Sequence, residues 1–215
     1  PVLKHCTFTQ NTTNYMAGGI FNNESNPILV NCILWGDVQS EIGNNNSSPN
    51  VTFSNVQNSS NESWFGGGCI DTDPLFRDPD GPDNNPSTWQ DNNFRLQSAS
   101  PCVDTGTNEY SQGLPIEDMD GKQRIQDGNG DTVVIADMGA YEWNPNASWI
   151  QLYSDARVET IVEGLDSAVE RFLQIRNNGG GTLHWRVESQ ADWVVVSPEE
   201  GESTGEWDSV RLEVN

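Results

Sequence analysis

The chain has 215 residues, of which only 34% are apolar, with a mean hydropathy of −0.63 and 32 acidic against 10 basic side chains, a net charge of −22. At roughly 100–200 residues per domain this is one large domain or two modest ones, too polar for a thick interior of helices packed on helices. Such a charge repels phosphate backbones and anionic headgroups, so neither nucleic acid nor a membrane surface is an expected partner. There is no apolar run of about 20 residues, and the first residues lack the pattern of a signal peptide; the chain therefore reads as a mature product or an internal fragment.

Residues 1–69 repeat. Pro1-Val2-Leu3-Lys4-His5-Cys6-Thr7-Phe8 aligns with Pro27-Ile28-Leu29-Val30-Asn31-Cys32-Ile33-Leu34 at a spacing of 26, and a weaker copy, Asn50-Val51-Thr52-Phe53-Ser54-Asn55-Val56, follows after 23 more. Short alternating runs bounded by Gly and Asn, repeating every 20–30 residues without helical periodicity, predict a parallel β-helix, in which each coil buries its apolar stripe on its neighbour. Two and a half coils are too few to stand alone, so the first coil is expected to present an open edge to another molecule or to further coils. Cys6 and Cys32 fall at equivalent positions, about one strand spacing (roughly 4.8 Å) apart, either as stacked thiols or as a bond.

Residues 70–148 hold 15 acidic and 4 basic residues, and 12 of the acids are Asp. Asp78-Pro79-Asp80-Gly81-Pro82-Asp83-Asn84 and Asp127-Gly128-Asn129-Gly130-Asp131 place carboxylates on alternate residues of Gly-containing loops, and Asp118-Met119-Asp120-Gly121 is a shorter version. That vocabulary suits Ca2+, which takes 6–8 oxygens, so Asp78, Asp80, Asp83, Asp118, Asp120, Asp127, Asn129 and Asp131 are candidate calcium ligands, although such residues also build ordinary solvated turns. Cys69 and Cys102 flank the first loop and are candidates for a disulfide that clips it.

Catalysis has weak support. His5 and His184 lie in different regions, and only Asp71, Asp73 and Asp78 with Arg77 or Arg95 would offer the paired carboxylates of a lyase or glycosidase. The expectation is that the chain is not an enzyme. Trp35, Trp64 and Trp89 are candidates for stacking on sugar rings. Asn-X-Ser/Thr sequons begin at Asn11, Asn23, Asn45, Asn46, Asn50, Asn58, Asn61 and Asn146, candidate glycosylation sites in a chain whose Asn-rich composition also suits β-helix ladders.

The ordered strings NCILWG (31–36), DTDPLF (71–76), FRL (94–96), SPCVDTG (100–106), DxDGxxR (118–124) and DMGAYE (137–142) resemble the C-terminal part of secreted bacterial β-helix proteins of the choice-of-anchor Q type. The resemblance implies a right-handed parallel β-helix with a Pro- and Asp-rich closing segment, held outside the cell, and implies no particular reaction. After Asn144-Pro145-Asn146-Ala147-Ser148, a short linker by composition, come five alternating segments at 149–153, 170–175, 182–187, 193–196 and 209–214, which predict a small β-sandwich. FLQIRNNGGGTLHWRV and DWVVVSPEEG resemble the immunoglobulin-like BACON domains of bacterial surface proteins, and against that pattern the sandwich reads as short of one or two strands. The expected organisation is thus all-β, with a β-helix and its closure at 1–143, a linker at 144–148 and a sandwich at 149–215. The expected role is an extracellular structural or adhesive module, calcium-stabilised and able to assemble with copies of itself. A surface-polysaccharide-binding module is the alternative.

Overall fold

A computed structural model describes residues 1–81, 83–90, 92–154 and 170–214. The chain is all-β, with sixteen strands and no helix among the described residues, hence none long and apolar enough to cross a membrane. It divides into two compact units, Pro1–Trp143 and Asn144–Asn215.

In the first unit β1 (Val2–Lys4), β2 (Thr7–Thr9) and β3 (Ile20–Asn23) are followed by β4 (Ile28–Val30), β5 (Ile33–Trp35) and β6 (Ile42–Asn45), then by β7 (Asn50–Thr52) and β8 (Asn55–Val56). They pair only in parallel, as β1-β4-β7, β2-β5-β8 and β3-β6. Successive turns of chain therefore lie in register, and single parallel bridges from Val51 to Phe65 and from Asn55 to Ile70 begin a fourth. Val2 faces Ile28, an offset of 26 as expected, but Ile28 faces Asn50, an offset of 22 rather than 23. The 23-residue sequence alignment is thus one residue out of register with the ladder. The true register stacks Leu3, Leu29 and Val51 in the interior, whereas a one-residue slip turns every side chain to the opposite face.

The corners explain how short strands turn so sharply. The residue after most strands sits at positive φ, and these residues form columns: His5, Asn31, Phe53 and Gly68; Gln10, Gly36 and Asn58; Glu24 and Asn46. That conformation disfavours side chains other than Asn and Gly. Stacking offsets the cost, since the bend amides donate to the next coil, His5 N to Val30 O and Glu24 N to Asn45 O, each at 3.0 Å. Asparagine ladders add to it, with Asn22 Nδ2 on Asn44 Oδ1 at 2.9 Å and Asn45 Nδ2 on Asn23 Oδ1 at 2.6 Å.

Two apolar clusters follow from the run Cys32-Ile33-Leu34. Leu34 points inside the coils with Leu29, Cys32, Ile42, Val51, Val56 and Trp64. Ile33 points outward into a second cluster with Phe76, Leu96, Cys102, Val103 and Met138 from the Asp-rich segment. A strand buried on both faces reads as a continuous apolar run. The Asp-rich segment, which includes the antiparallel pair β9 (Phe76–Asp78) and β10 (Asn93–Leu96), thus lies along the side of the coils, over the outer face of β2-β5-β8.

The second unit has a four-stranded antiparallel sheet, β11 (Ile150–Ser154), β12 (Glu170–Asn177), β16 (Trp207–Val214) and β14 (Val194–Ser197), and a two-stranded one, β13 (Leu183–Arg186) with β15 (Glu200–Ser203). The strand β15, Glu-Gly-Glu-Ser, has no apolar alternation and was not anticipated. Ile175, Trp185 and Val210 form the core, with Trp185 Nε1 bonded to Asp208 at 2.7 Å. Residues 144–148, read from composition as a linker, pack under Gly179–Gly181: a Cβ on Gly180 would lie 1.8 Å from the Pro145 carbonyl oxygen. Only glycine permits that approach.

Candidate functional site

The densest polar chemistry of the first unit is a buried clasp built from three of the motifs. Arg124, 4% exposed, directs Nη1 to Glu142 Oε1 at 3.0 Å and to His5 Nδ1 at 3.1 Å. Its other nitrogens reach the carbonyls of Glu117 and Ala140. His5 Nε2 lies 3.0 Å from Asn31 Nδ2, and Asn31 exchanges two bonds with the backbone of Thr107. Glu142 Oε2 accepts from Asp137 N at 2.9 Å, and Asp137 in turn accepts from the amides of Asp104 and Trp143. Asp104 accepts from Gly128 and Asn129, and Asp118 from Asp120, Lys122 and Glu142.

The strings VDTG, DxDGxxR and DMGAYE are therefore parts of one network that ties the side segment to the bends of the first two coils. Gly139 N on Asn31 O at 2.8 Å and Ala140 N on Thr7 Oγ1 at 3.0 Å complete it. Burial dominates its electrostatics. Desolvation, with the Arg124 cation close by, drives His5 down to about 3, so its ring is neutral near pH 7. Burial pushes Asp137 up to about 7 and, together with the Asp137 carboxylate, raises Glu142 as well, against the pull of Arg124. In the sequence these strings stand out only as a resemblance, and of the site candidates Asp118 joins the clasp by its side chain and Asp120 and Asn129 by their amides.

Among the described residues the calcium candidates do not gather at one point. Asp127 accepts from Gly130 N and Thr132 N at 2.7 and 2.9 Å, Asn129 from Asp131 N, and Asp131 from Val133 N. Asp83 accepts from Asn85 N, and Asp80 from Gln10 Nε2 at 3.2 Å. Asp120 is held by Arg95 on two nitrogens, with Lys122 at 3.8 Å, and Asp78 lies in β9 opposite Asn93. Among the described residues no three His, Cys, Asp or Glu side chains gather as a metal-holding group. Pro82, within the first loop, lies outside the described residues.

The lyase-like set is likewise occupied. Asp71 caps the amides of Asn58, Ser59 and Ser60, and Asp73 that of Leu75. Arg77 bonds Leu96 O and lies 4.8 Å over the Trp143 ring, while Arg95, besides Asp120, lies 4.4 Å over Tyr141. The four cysteines are free thiols. Cys69 packs against the coil interior and Cys102 in the outer cluster, so the suggested clip between them is not formed. All eight sequon asparagines are exposed, although the amides of Asn11, Asn23 and Asn45 are engaged in hydrogen bonds.

Of the three candidate tryptophans, Trp64 is only 8% exposed and fills the coil interior, which removes it from any ligand. Trp35 and Trp89 line adjoining grooves of about 340 and 700 Å³ that share Thr9, Gln10 and Gly36. Trp89 is 71% exposed, and Asp73, Asp80 and Gln97 supply polar edges. An aromatic face beside hydrogen-bonding groups can hold a pyranose ring. A scan against protein-family models found no match, and searches of curated proteins and of solved structures found no similar chain.

Proposed function

We propose that the chain is a non-enzymatic structural module of an extracellular bacterial surface protein. In this reading the first unit is the end of a right-handed parallel β-helix, locked by its Asp-rich segment, and the second is an immunoglobulin-like sandwich. In-register parallel coils with repeated left-handed bends support the first assignment, and two antiparallel sheets around Ile175, Trp185 and Val210 support the second.

The observation that carries the functional reading is the clasp. The arginine and carboxylates of the clasp are buried and spent on backbone groups and on one another, a role that holds the chain. The function is then mechanical: a rigid rod whose side is fastened. Among the described residues the strands β1, β2 and β3 pair on one side only, beside half-buried Leu3, Phe8 and Ile20, and either further coils of the same polypeptide or strands of a second copy would continue the ladder there. Light scattering over a concentration series, with negative-stain electron microscopy, tests this. Concentration-dependent end-to-end assembly supports it, whereas a strict monomer removes self-assembly, and turnover of any polysaccharide overturns the non-enzymatic reading.

The grooves beside Trp35 and Trp89 favour polysaccharide binding as a second reading. Calorimetry against neutral oligosaccharides would show binding that Trp89→Ala weakens at least about tenfold, in line with loss of one stacking platform.

A further inference from the structure

Cys6 and Cys32 stand one above the other at the same bend of successive coils. The flanking ladders set Lys4 opposite Val30 and Thr7 opposite Ile33. Their Cα atoms are therefore about one strand spacing, roughly 4.8 Å, apart, inside the window of about 4.4–6.8 Å that a disulfide spans. The two Sγ atoms point the same way, each donating to the carbonyl two residues back, Lys4 O and Val30 O, at 3.4 Å. The next coil carries Ser54 in this column, with Oγ on Thr52 O at 2.9 Å, so the thiol contact is confined to the first two coils. Cys32 is fully buried, and Cys6, on the outermost coil, is half-buried.

We propose that Cys6 and Cys32 form a redox-closable staple between the first two coils, with Cys6 attacking a small-molecule disulfide and Cys32 resolving the adduct. The Cys6 thiolate bonds one sulfur of an external disulfide such as oxidised glutathione. That S–S bond breaks, and the first glutathione thiolate leaves and takes up a proton. Cys32 then gives up its proton and its sulfur displaces the second glutathione from Cys6, forming the Cys6–Cys32 bond. Two protein thiols lose two electrons, and one external disulfide becomes two thiols.

Three features direct the reaction to this pair. The neighbouring Cys32 thiol lowers Cys6 below the ordinary thiol range, which raises its share of the nucleophilic thiolate form. Burial pushes Cys102 up to about 12 and raises Cys69. The bond would close a loop of about 26 residues and restrict the unfolded chain. The inference rests on the stacked bends alone and is independent of the function proposed above.

Peptide mapping of the reduced full chain after exposure to oxidised glutathione near neutral pH, followed by alkylation, tests it alongside a thermal melt. The expected result is a Cys6–Cys32 linked peptide, with Cys69 and Cys102 alkylated only after unfolding and a first-unit melt raised by roughly 6–12 °C. Cys32→Ser, which repeats the Ser54 of the next coil, should keep the fold and stop at a glutathione adduct on Cys6. An unmodified Cys6, a lasting glutathione adduct in the unaltered chain, or a bond involving Cys69 or Cys102 would overturn the proposal.

Discussion

Arg124 Nη1 lies 3.0 Å from Glu142 Oε1, with the two side chains 5% and 0% exposed. This one contact joins the DxDGxxR string to the DMGAYE string. Because Arg124 also touches His5, it anchors both to the first coil. A buried ion pair adds little net stability compared with an apolar replacement, but removing one partner strands the other charge.

Arg124→Met should therefore destabilise the first unit by about 3–5 kcal/mol, seen as a lower denaturant midpoint for that unit with the transition of the second unit unchanged. Adding Glu142→Gln should recover part of the loss. A single variant that melts like the unaltered chain would remove the clasp from the account of stability.

Gly139 sits at φ +94°, and a Cβ there would come 2.7 Å from Ile33 Cδ1 and 2.9 Å from Thr7 Oγ1. Gly139→Ala combines left-handed strain with overpacking, at a cost of about 2–5 kcal/mol. Thermal unfolding measures it directly, and an unshifted midpoint would mean that the segment repacks.

Two buried groups give opposite pH signatures. Glu41, 4% exposed, is pushed up to about 8 by burial and by the neighbouring Asp37. The folded chain keeps this proton while the unfolded chain loses it near pH 4.5, so the Glu41 contribution declines as pH rises from about 4.5 to 8. His5 behaves conversely: its folded value near 3 lies below the unfolded 6.5, so its contribution is lost as pH falls from 6.5 towards 3. Glu41→Gln should flatten the alkaline side of the stability profile and His5→Asn, which repeats the Asn31 of the next coil, the acid side. Parallel profiles for variant and unaltered chain would exclude that group as the source.

Chelation should leave the melting midpoint within about 1 °C of its value with added calcium, because ligand binding to the folded state stabilises only where a site exists. The loops 78–84, 118–121 and 127–131 spend their oxygens on their own amides, Gln10, Arg95 and Lys122. A fall of several degrees in chelator would reveal a site that folded side chains alone do not assemble.

Local pattern was enough for much of this molecule. The repeat at 26, the all-β class, the strands around Phe172, Trp185 and Val210, and the boundary after Trp143 follow from alternation and turn residues that act over a few positions. What needed the tertiary structure involved distance. The 22-residue register was decided by which side chains stack inside, Trp64 became interior because a coil turns beneath it, and β15 exists through pairing with β13. The Asp strings read as cation loops from sequence, and the same residue types make both calcium sites and Asx turns. Only the folded chain links Arg124, Glu142, Asp137 and Asp104 in one run of hydrogen bonds that extends to His5 and Asn31, more than 70 residues earlier. The partner of a charge is chosen by packing, and no local rule of sequence carries that information.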